Sequence, residues 1–420
     1  MNLIKKIKEY VLPTYLIINV LYLLISSYLS FLVGKITMKH FSIGYIVLLG
    51  INTFIILMLF ILKKYKYKRA DIFLILIGIF GFISYLFAYK RHVALFGCYH
   101  RYEGLLMILY YMTIVFLSSY VKEKHKKIVI YFILMTGFIE FIFSVCQKLN
   151  LFNVYTEMPN GERYANGFTN NPNFFATLML LCLSLTMGLY FDDKDTKKKK
   201  KIVYYIFVCF YMIGLLFSNT SSCMMGLVFV LIYSFLYFKK LKNYKKFINV
   251  LTIIAITSTI ISVLGLSHQI TDFIVALGQM ANISVGHVRP EYGTSRIYVW
   301  TFTLKKVPKY LWTGIGIDCF KYINNGKPIP YWLVYDKCHN EYLQILITMG
   351  IFSLISYLGL YYTVVKEGIK NSIKNKELYL ILPVIGYLVQ AFFNISVIEV
   401  APLFYIILGL NINRYKNKES

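Results

Sequence analysis

The chain has 420 residues, of which 58% are hydrophobic, 18% aromatic and only 15% charged, and its formal net charge is +26. This composition excludes an ordinary soluble protein, which carries fewer apolar and more charged residues. We attribute the basic excess to membrane topology and attraction to anionic lipid rather than to nucleic-acid binding, because the lysines flank apolar runs.

Apolar runs of about 20 residues recur along the chain, the length needed to cross a hydrocarbon core of about 30 Å. Backbone polar groups in lipid must bond to one another, so these runs are expected to be helices. The runs are 11–33, 44–62, 71–89, 105–121, 128–147, 174–191, 202–218, 223–238, 247–267, 341–365, 378–396 and 399–413. The sequence therefore predicts an all-α, polytopic membrane helix bundle of about 12 transmembrane helices, forming a single membrane domain over 1–420.

The distribution of basic residues predicts the orientation of the spans. The first run is basic at its start and has no small-residue cleavage site, so we expect a retained anchor with a cytoplasmic N-terminus. Alternation from there places 30 of the 45 Lys and Arg in the inward segments. We predict a multi-pass protein of the plasma or inner membrane with both termini cytoplasmic.

Several classes of site are disfavoured. The inward loops are at most about a dozen residues long, and no GxxxxGK[ST] motif is present, so we expect no cytoplasmic nucleotide-binding domain. The seven His form neither HExxH nor a His/Cys cluster at metal-ligand spacing, so we expect neither a metal nor a cofactor. Glu140 is the clearest ionisable residue deep in a run, and either a structural or a cavity role is open for it.

Polar residues gather instead in four predicted outward stretches, 90–104, 148–175, 219–223 and 268–340. The last is a large extracytoplasmic loop between spans 9 and 10, and a loop of that length is usually functional. Within it, 293–308 predicts a short amphipathic helix, capped by Thr294 or Ser295 and ended by Pro308. Its apolar face is expected to hold Ile297, Trp300, Thr301 and Leu304.

Single residues in these stretches are candidates for binding. Arg296, in the first turn of that helix, suits phosphate, although a snorkelling role is equally open. Asp318 follows the turn GIG and is either a helix cap or a site residue. In TNNPNFFATL (169–178), Asn171 and Pro172 fit the start of a helix, which leaves Asn173 as a spare amide for sugar hydroxyls.

Several motifs, in order and spacing, resemble the O-antigen ligase and O-antigen polymerase superfamily. They are SRIYVW, WTGIGIDCF and CHNEYLQILITMG, together with the earlier RYEG (101–104) and GFTNNPNFFA (167–176). The His-x10-Gly spacing of that family matches His339 and Gly350, and its Arg before a Trp matches Arg296. The resemblance covers most of the chain.

The resemblance implies a membrane glycosyltransferase that works outside the membrane without metal or nucleotide. The donor is a glycan on a polyisoprenyl diphosphate, and the acceptor is a hydroxyl of another glycan or of a cell-surface anchor. His339 is then the catalytic base, and Glu341 and Asn340 orient its ring or the sugar. Arg296 binds the donor diphosphate.

One departure from the family pattern concerns a second arginine near the outer end of the seventh or eighth span. Here that region reads SNTSSCMMG (218–226), and 202–238 contains no Arg. Arg163 or Arg101 is the candidate replacement, and the hydroxyls of Ser221 and Ser222 are the alternative. Outside this family, a lipid-linked oligosaccharide flippase or other polytopic transporter, or a non-catalytic membrane scaffold, is the competing interpretation.

Overall fold

The structure is a computed structural model that describes residues 2–33, 38–99, 101–151, 164–169, 171–193, 197–289, 291–324 and 335–414. These residues are mainly helical, and the described ranges contain no strand. The predicted all-α fold class is confirmed.

The helices are numbered in chain order. They are α1 (Asn2–Val33), α2 (Met38–Ile61), α3 (Arg69–Leu86), α4 (Arg91–Phe96), α5 (Leu105–Ser118), α6 (Glu123–Leu149), α7 (Pro172–Asp192), α8 (Lys198–Phe217), α9 (Ser221–Leu241), α10 (Lys245–Val263), α11 (Gln269–Ser284), α12 (Arg296–Tyr310), α13 (Glu341–Met349), α14 (Ile351–Asn375), α15 (Leu378–Gln390) and α16 (Ala401–Asn411). A short 3₁₀ turn, Phe320–Tyr322, lies between α12 and α13 in the chain.

Among the described helices, eight are long and apolar enough to cross a membrane, namely α1, α2, α3, α6, α7, α8, α9 and α10. The helices α5, α15 and α16 are apolar but shorter. All of them overlap runs that the sequence predicted as spans. The count of about twelve and the placement of 268–340 between spans 9 and 10 stay predictions.

The run 341–365, expected to be one span, is two helices in the structure. Gly350 separates α13 from α14 with φ +84°, a conformation that favours glycine. A Cβ on Gly350 would lie 2.2 Å from the carbonyl oxygen of Trp312. The N–H of Ile351 bonds to Leu311 O at 2.8 Å. The single-helix prediction was wrong because a segment distant in sequence packs into the break.

The predicted helix 293–308 is present as α12, with different details. Ser295 is its N-cap residue but makes no side-chain capping bond, and Pro308 lies inside the helix instead of ending it. The buried positions are Val299 and Thr303, whereas Leu304 is 56% exposed. Of the predicted apolar face, Trp300 packs against the cluster of Cys319, Phe320, Cys338, Leu343 and Ile347, whereas Thr301 and Leu304 are exposed, so the prediction was right only in part.

Contacts divide the chain into two compact units. The first, which we call unit one, comprises Met1–Lys126, His287–Lys366 and Ala391–Ser420. Unit two comprises Lys127–Gly286 and Glu367–Gln390. The predicted single membrane domain over 1–420 stays a prediction.

In unit one, α5 packs against α2, α3 and α16. Polar bonds tie the apolar helices together, as when Asn52 of α2 donates to Thr113 Oγ1 of α5 at 2.9 Å and Tyr110 of α5 donates to Asn19 Oδ1 of α1 at 2.8 Å. At the end of α16, the guanidinium of Arg414 forms a buried two-pronged pair with Asp71, and its Nη1 lies 2.9 Å from Oδ2. The same guanidinium lies over the ring of Phe116 at 4.5 Å. Arg414 thus anchors the end of α16 to α3.

In unit two, α7 is the central helix and packs against α8, α9 and α15. Its membrane-length window is entirely buried. Gly188 permits the close approach to α15, because a Cβ there would lie 2.2 Å from Tyr379 Cα. Asn171 caps α7 by accepting from Asn173 N, and Pro172 is at its first turn. This start of the helix was predicted from the sequence and is confirmed.

Glu140 on α6 is fully buried in unit two. Its Oε2 accepts from the N–H of Phe168 at 2.6 Å, and Gln147 Oε1 accepts from Gly167 N at 2.9 Å. Both side chains therefore hold the turn that precedes α7. This contact supports the structural interpretation of Glu140.

Candidate functional site

The candidate site in unit one is built from loops rather than from helix interiors. Its segments are 97–104 before α5, the turn 293–296 at the start of α12, the turn 314–319, and 335–340 before α13. The turn 314–319 is fixed to the end of α13, because Ile315 N donates to Ile347 O and Gly316 N to Thr348 O, each at 3.0 Å. These bonds satisfy carbonyls that the break at Gly350 leaves without helical partners.

Arg101 and Asp336 join the first and last of these segments. The Nε of Arg101 lies 2.5 Å from Asp336 Oδ2, and its Nη2 lies 3.1 Å from Oδ1. Burial favours the neutral carboxyl, but the hydrogen bonds and charge of Arg101 outweigh it and hold the pKa of Asp336 below its usual value. Arg101, predicted to bind substrate, is thus engaged by a carboxylate and remains 21% exposed.

Lys337 lies in a buried cluster with Glu103 and Asp318. Its Nζ donates to Glu103 Oε2 and lies 3.6 Å from Asp318 Oδ1. The three side chains are at most 5% exposed. Asp318 also accepts from Cys98 N at 2.7 Å, so its carboxylate orders the loop 97–104. Asp318 therefore faces a buried charge cluster, and its predicted role toward substrate stays a prediction.

Both backbone polar groups of Cys338, the carbonyl and the N–H, are hydrogen-bonded. Its carbonyl accepts from Trp300 Nε1 at 3.0 Å, and its N–H donates to Gln344 Oε1 at 2.8 Å. The Trp300 bond ties the loop to α12, and the Gln344 bond ties it to α13. Together with the pairs of Asp336 and Lys337, these bonds fix each of the three residues before His339.

His339 follows with a left-handed backbone, φ 51°, which is uncommon for a residue with a side chain. Its Nδ1 is buried and has no hydrogen-bond partner within the described part of the chain. Burial and, after it, the charge of Arg296 lower the pKa of His339 to about 4, although Asp336 acts in the opposite direction. The imidazole is therefore neutral near pH 7 and able to accept a proton.

Arg296 lies at the start of α12, directly after a left-handed turn. Gly293, Thr294 and Ser295 have φ of 62°, 58° and 63°. Glycine adopts this region readily, but it is costly for Thr294 and Ser295, and such strain concentrates at functional sites. Arg296 Nη1 donates to Gly293 O at 3.3 Å. Its positive charge acts on the imidazole of His339, the other residue expected to act on substrate.

Tyr335 connects the turn before α12 with the histidine. Its hydroxyl donates to Thr294 O at 2.8 Å, and its ring meets that of His339 edge to face, with centroids 5.3 Å apart. The ring therefore limits the rotation of the imidazole. The hydroxyl bond fixes the ring to the same turn that presents Arg296.

Asn340 and Glu341 begin α13. Asn340 is its N-cap, and Oδ1 accepts from Leu343 N at 3.0 Å. Glu341 is buried and accepts from the hydroxyl of Tyr361 at 3.3 Å. Capping accounts for Asn340 locally. The roles predicted for both residues toward the histidine or the sugar stay predictions.

The remaining sequence candidates are not among the described residues of these segments. Arg163 lies outside the described residues. Asn173 belongs to unit two, where its amide donates to Asn171 Oδ1 at 2.9 Å. Ser222, the alternative anion contact, is in unit two as well, and its hydroxyl is buried.

A small cavity of about 50 Å³ adjoins the buried cluster. Its polar lining comes from Glu103, Asp318, Lys337, Glu341 and Gln344. A cavity of this volume has room for a few waters but not for a sugar.

Sequence reasoning did not single out Lys337, Trp300 or Tyr335 as parts of this site. Lys337 stands between two candidate residues in DKCHNE (336–341), and that run of polar groups beside an apolar helix was the available signal. The hydrogen-bond partners of Lys337, Trp300 and Tyr335 lie far away in the sequence, so the sequence alone could not predict these pairings.

Comparison with known proteins agrees with these motifs. The family model described as O-antigen ligase matches residues 205–358. This segment is similar to the O-antigen ligase domain. The predicted resemblance to the O-antigen ligase superfamily is confirmed. No curated protein matches the chain.

The O-antigen ligase domain contains Arg296, Asp318, His339, Asn340 and Glu341. Arg101, Arg163 and Asn173 lie outside it. The domain implies O-antigen ligase-like glycosyl transfer by a membrane enzyme, with a lipid-linked glycan as donor and a bilayer as environment. The family and the apolar helices together indicate a multi-pass inner-membrane protein.

Proposed function

We propose that the protein transfers a glycan from a polyisoprenyl diphosphate to an acceptor hydroxyl on the extracytoplasmic side, and so polymerises or ligates cell-surface polysaccharide. The observation that carries the proposal is the position of the His339 imidazole. Its Nδ1 is buried without a hydrogen-bond partner among the described residues, its backbone is left-handed, and Tyr335 links its ring to the turn that presents Arg296. A buried polar atom without a partner in a strained loop is typical of a reacting group.

His339 acts as the general base in this reaction. As the acceptor oxygen bonds to the anomeric carbon, the bond from that carbon to the phosphate oxygen breaks. The acceptor proton passes to the imidazole, and the polyisoprenyl diphosphate leaves with the bonding electron pair. The low pKa of the unliganded His339 keeps its imidazole unprotonated, and a bound diphosphate anion would raise that pKa and make the imidazole a stronger base.

Arg296 binds the donor diphosphate. Its guanidinium provides a fixed positive charge beside the histidine, and charge-assisted bonds to phosphate strengthen as negative charge develops on the leaving group. Free N–H groups at the start of α12 would add to this attraction. Positive charge at this position thus favours both the binding of the donor and the departure of the diphosphate leaving group.

The other candidates take secondary roles in the proposal. Arg101, held by Asp336, and Arg163 are the candidates for the second diphosphate contact that the region 218–226 lacks. Asn173 and Asn340 are candidates for sugar hydroxyls, and Asp318 and Glu341 for orienting groups near the base.

The test replaces His339 and Arg296 singly by Ala and measures glycan elongation or transfer by purified, folded protein. Both variants should abolish product. The matched controls are His268→Ala and Arg289→Ala, which change exposed residues of the same predicted loop and should keep parental activity. Normal product from the folded His339→Ala and Arg296→Ala variants would refute the proposal.

A second experiment separates polymerase from ligase. The lipid-linked intermediates that accumulate when the gene is deleted should be single repeat units for a polymerase and long chains on the carrier for a ligase. Either result fits the proposed chemistry, since the leaving group and base are shared. Unchanged lipid-linked intermediates together with unchanged surface polysaccharide would contradict it.

A further inference from the structure

The three residues before His339 are tied to the rest of unit one by charged and polar bonds, and the most buried tie is that of Lys337. We propose that Lys337, clamped by Glu103 and Asp318, is a positioning residue that holds His339 in its left-handed conformation for catalysis. This inference rests on the proposed function, in which His339 is the base.

The burial of Lys337 shows that it acts from beneath the site rather than on the substrate. Its side chain is 4% exposed, and both carboxylates that face it are equally buried. Its ammonium also lies 3.4 Å from the carbonyl oxygen of Ser396. A charge in such surroundings is tolerated only when it is paired in good geometry, so the ammonium has little freedom to move.

The two carboxylates are themselves anchored. Glu103 Oε1 accepts from Tyr111 at 2.8 Å and from Ser396 Oγ at 2.6 Å. Asp318 Oδ2 accepts from the backbone of Cys98. Lys337, which lies two residues before the histidine, is therefore bonded through these carboxylates to α5 and to the loop 97–104.

Backbone strain gathers on the same three segments. Tyr102, Asp318 and His339 have φ of 50°, 56° and 51°, in a region that residues with side chains seldom adopt. Tyr102 is next to Glu103 of the clamp, Asp318 belongs to the clamp, and His339 is the proposed base. Such conformations persist where the surroundings over-determine them. The partly buried pair of Asp336 with Arg101 and the buried pair of Lys337 with Glu103 supply that determination.

The charges that face His339 come from several elements. They are Arg296 of α12, Arg101 of the loop 97–104, and Asp336 and Lys337 of its own loop, while the ring of Tyr335 covers one edge. Removing the positive charge of Lys337 leaves Glu103 and Asp318 uncompensated. The imidazole should then bind its proton more readily, and transfer should fail at a higher pH than in the parent.

The experiment compares Lys337→Met with the parent in steady-state transfer from a lipid-linked donor across a pH series. We expect kcat to fall about 10- to 100-fold through misplacement of the base, with KM changed less than about threefold. The acid limb of the profile should move to higher pH. Lys337→Arg, and the swapped pair Glu103→Lys with Lys337→Glu, should recover part of the rate.

The matched control is Asp71→Asn, which breaks the other buried ion pair of unit one, that of Arg414. It should lower thermal stability while kcat and the acid limb of the folded fraction stay parental. If Lys337→Met does not insert, Glu103→Gln, which keeps the shape of the clamp, tests the same positioning role through kcat. Its acid limb should move to lower pH instead, because this variant removes a negative charge and leaves Lys337 uncompensated. Parental kcat and acid limb in the folded variants would overturn the positioning role.

This outcome is distinguishable from failure of the proposed function. If His339→Ala is inactive while Lys337→Met has the parental kcat and acid limb, only the positioning role is refuted. An active His339→Ala variant would remove the proposed base whatever Lys337 does. If Asp71→Asn loses as much kcat as Lys337→Met, the clamp is only a structural ion pair and has no specific role in positioning His339.

Discussion

The ring of Tyr335 meets the imidazole of His339 edge to face at 5.3 Å, while its hydroxyl bonds to the turn that carries Arg296. One side chain thus contacts the proposed base and the segment that presents the proposed diphosphate ligand. The ring and the hydroxyl can be separated by mutation.

Tyr335→Ala should lower kcat by up to about tenfold, because an edge-to-face aromatic contact contributes about 0.5–1.5 kcal/mol to the orientation of the histidine ring. Tyr335→Phe keeps the ring and should lose much less. Transfer rates of the two folded variants provide the measurement. Equal rates for Ala and Phe would mean that the ring does not orient His339.

The acid dependence of transfer should follow His339. Burial and Arg296 hold its pKa at about 4 in the unliganded protein, so the neutral base is present throughout the neutral range. The value of kcat/KM should be level near pH 7 and reach half of its plateau near pH 4. If kcat/KM instead reaches half of its plateau near the ordinary histidine pKa of about 6.5, the assignment of the acid limb to the buried His339 is contradicted.

Stability should depend on the same group. The pKa of His339 is lower in the folded protein than the unfolded value of about 6.5, so the unfolded chain binds the proton more readily. The stabilisation is complete above that unfolded value and is lost as the pH falls toward 4. Melting temperatures measured across this window should fall less in His339→Gln, which cannot titrate, than in the parent.

Gly350→Ala should disrupt the break between α13 and α14. The new Cβ would lie 2.2 Å from Trp312 O at φ +84°, so we expect a loss of at least about 2 kcal/mol in stability. The control is Gly278→Ala in α11, where a Cβ meets no atom within 4 Å of the described structure. Thermal unfolding in detergent would show a large drop for the first and little change for the second.

Asp71→Asn should be strongly destabilising, because it leaves the buried guanidinium of Arg414 without its carboxylate. Breaking a buried pair from one side costs about 3–5 kcal/mol. The comparison is Asp193→Asn, whose partner Lys200 is 54% exposed and whose loss should cost about 0–1 kcal/mol. Similar melting temperatures for both variants would show that Arg414 reaches another partner.

Local sequence was a good guide wherever the reason for a structure is local. The apolar runs predicted the helices, because a backbone in lipid has few other ways to satisfy its hydrogen bonds. Asn171 and Pro172 predicted the start of α7, because capping involves neighbours within one turn. The ordered motifs around Arg296 and His339 led to the O-antigen ligase family, and the matched domain confirms it.

Sequence by itself determined that this is a helical membrane protein, that it resembles the O-antigen ligase superfamily, and that it has the residue types that the chemistry of that superfamily needs. Only the tertiary structure decided that Gly350 divides a helix, that α12 buries Val299 and Thr303, and that Lys337 pairs with Glu103. Periodicity reports the surroundings of a residue within a few turns. The partner of a buried charge 234 positions away depends on which loops the folded helices bring together.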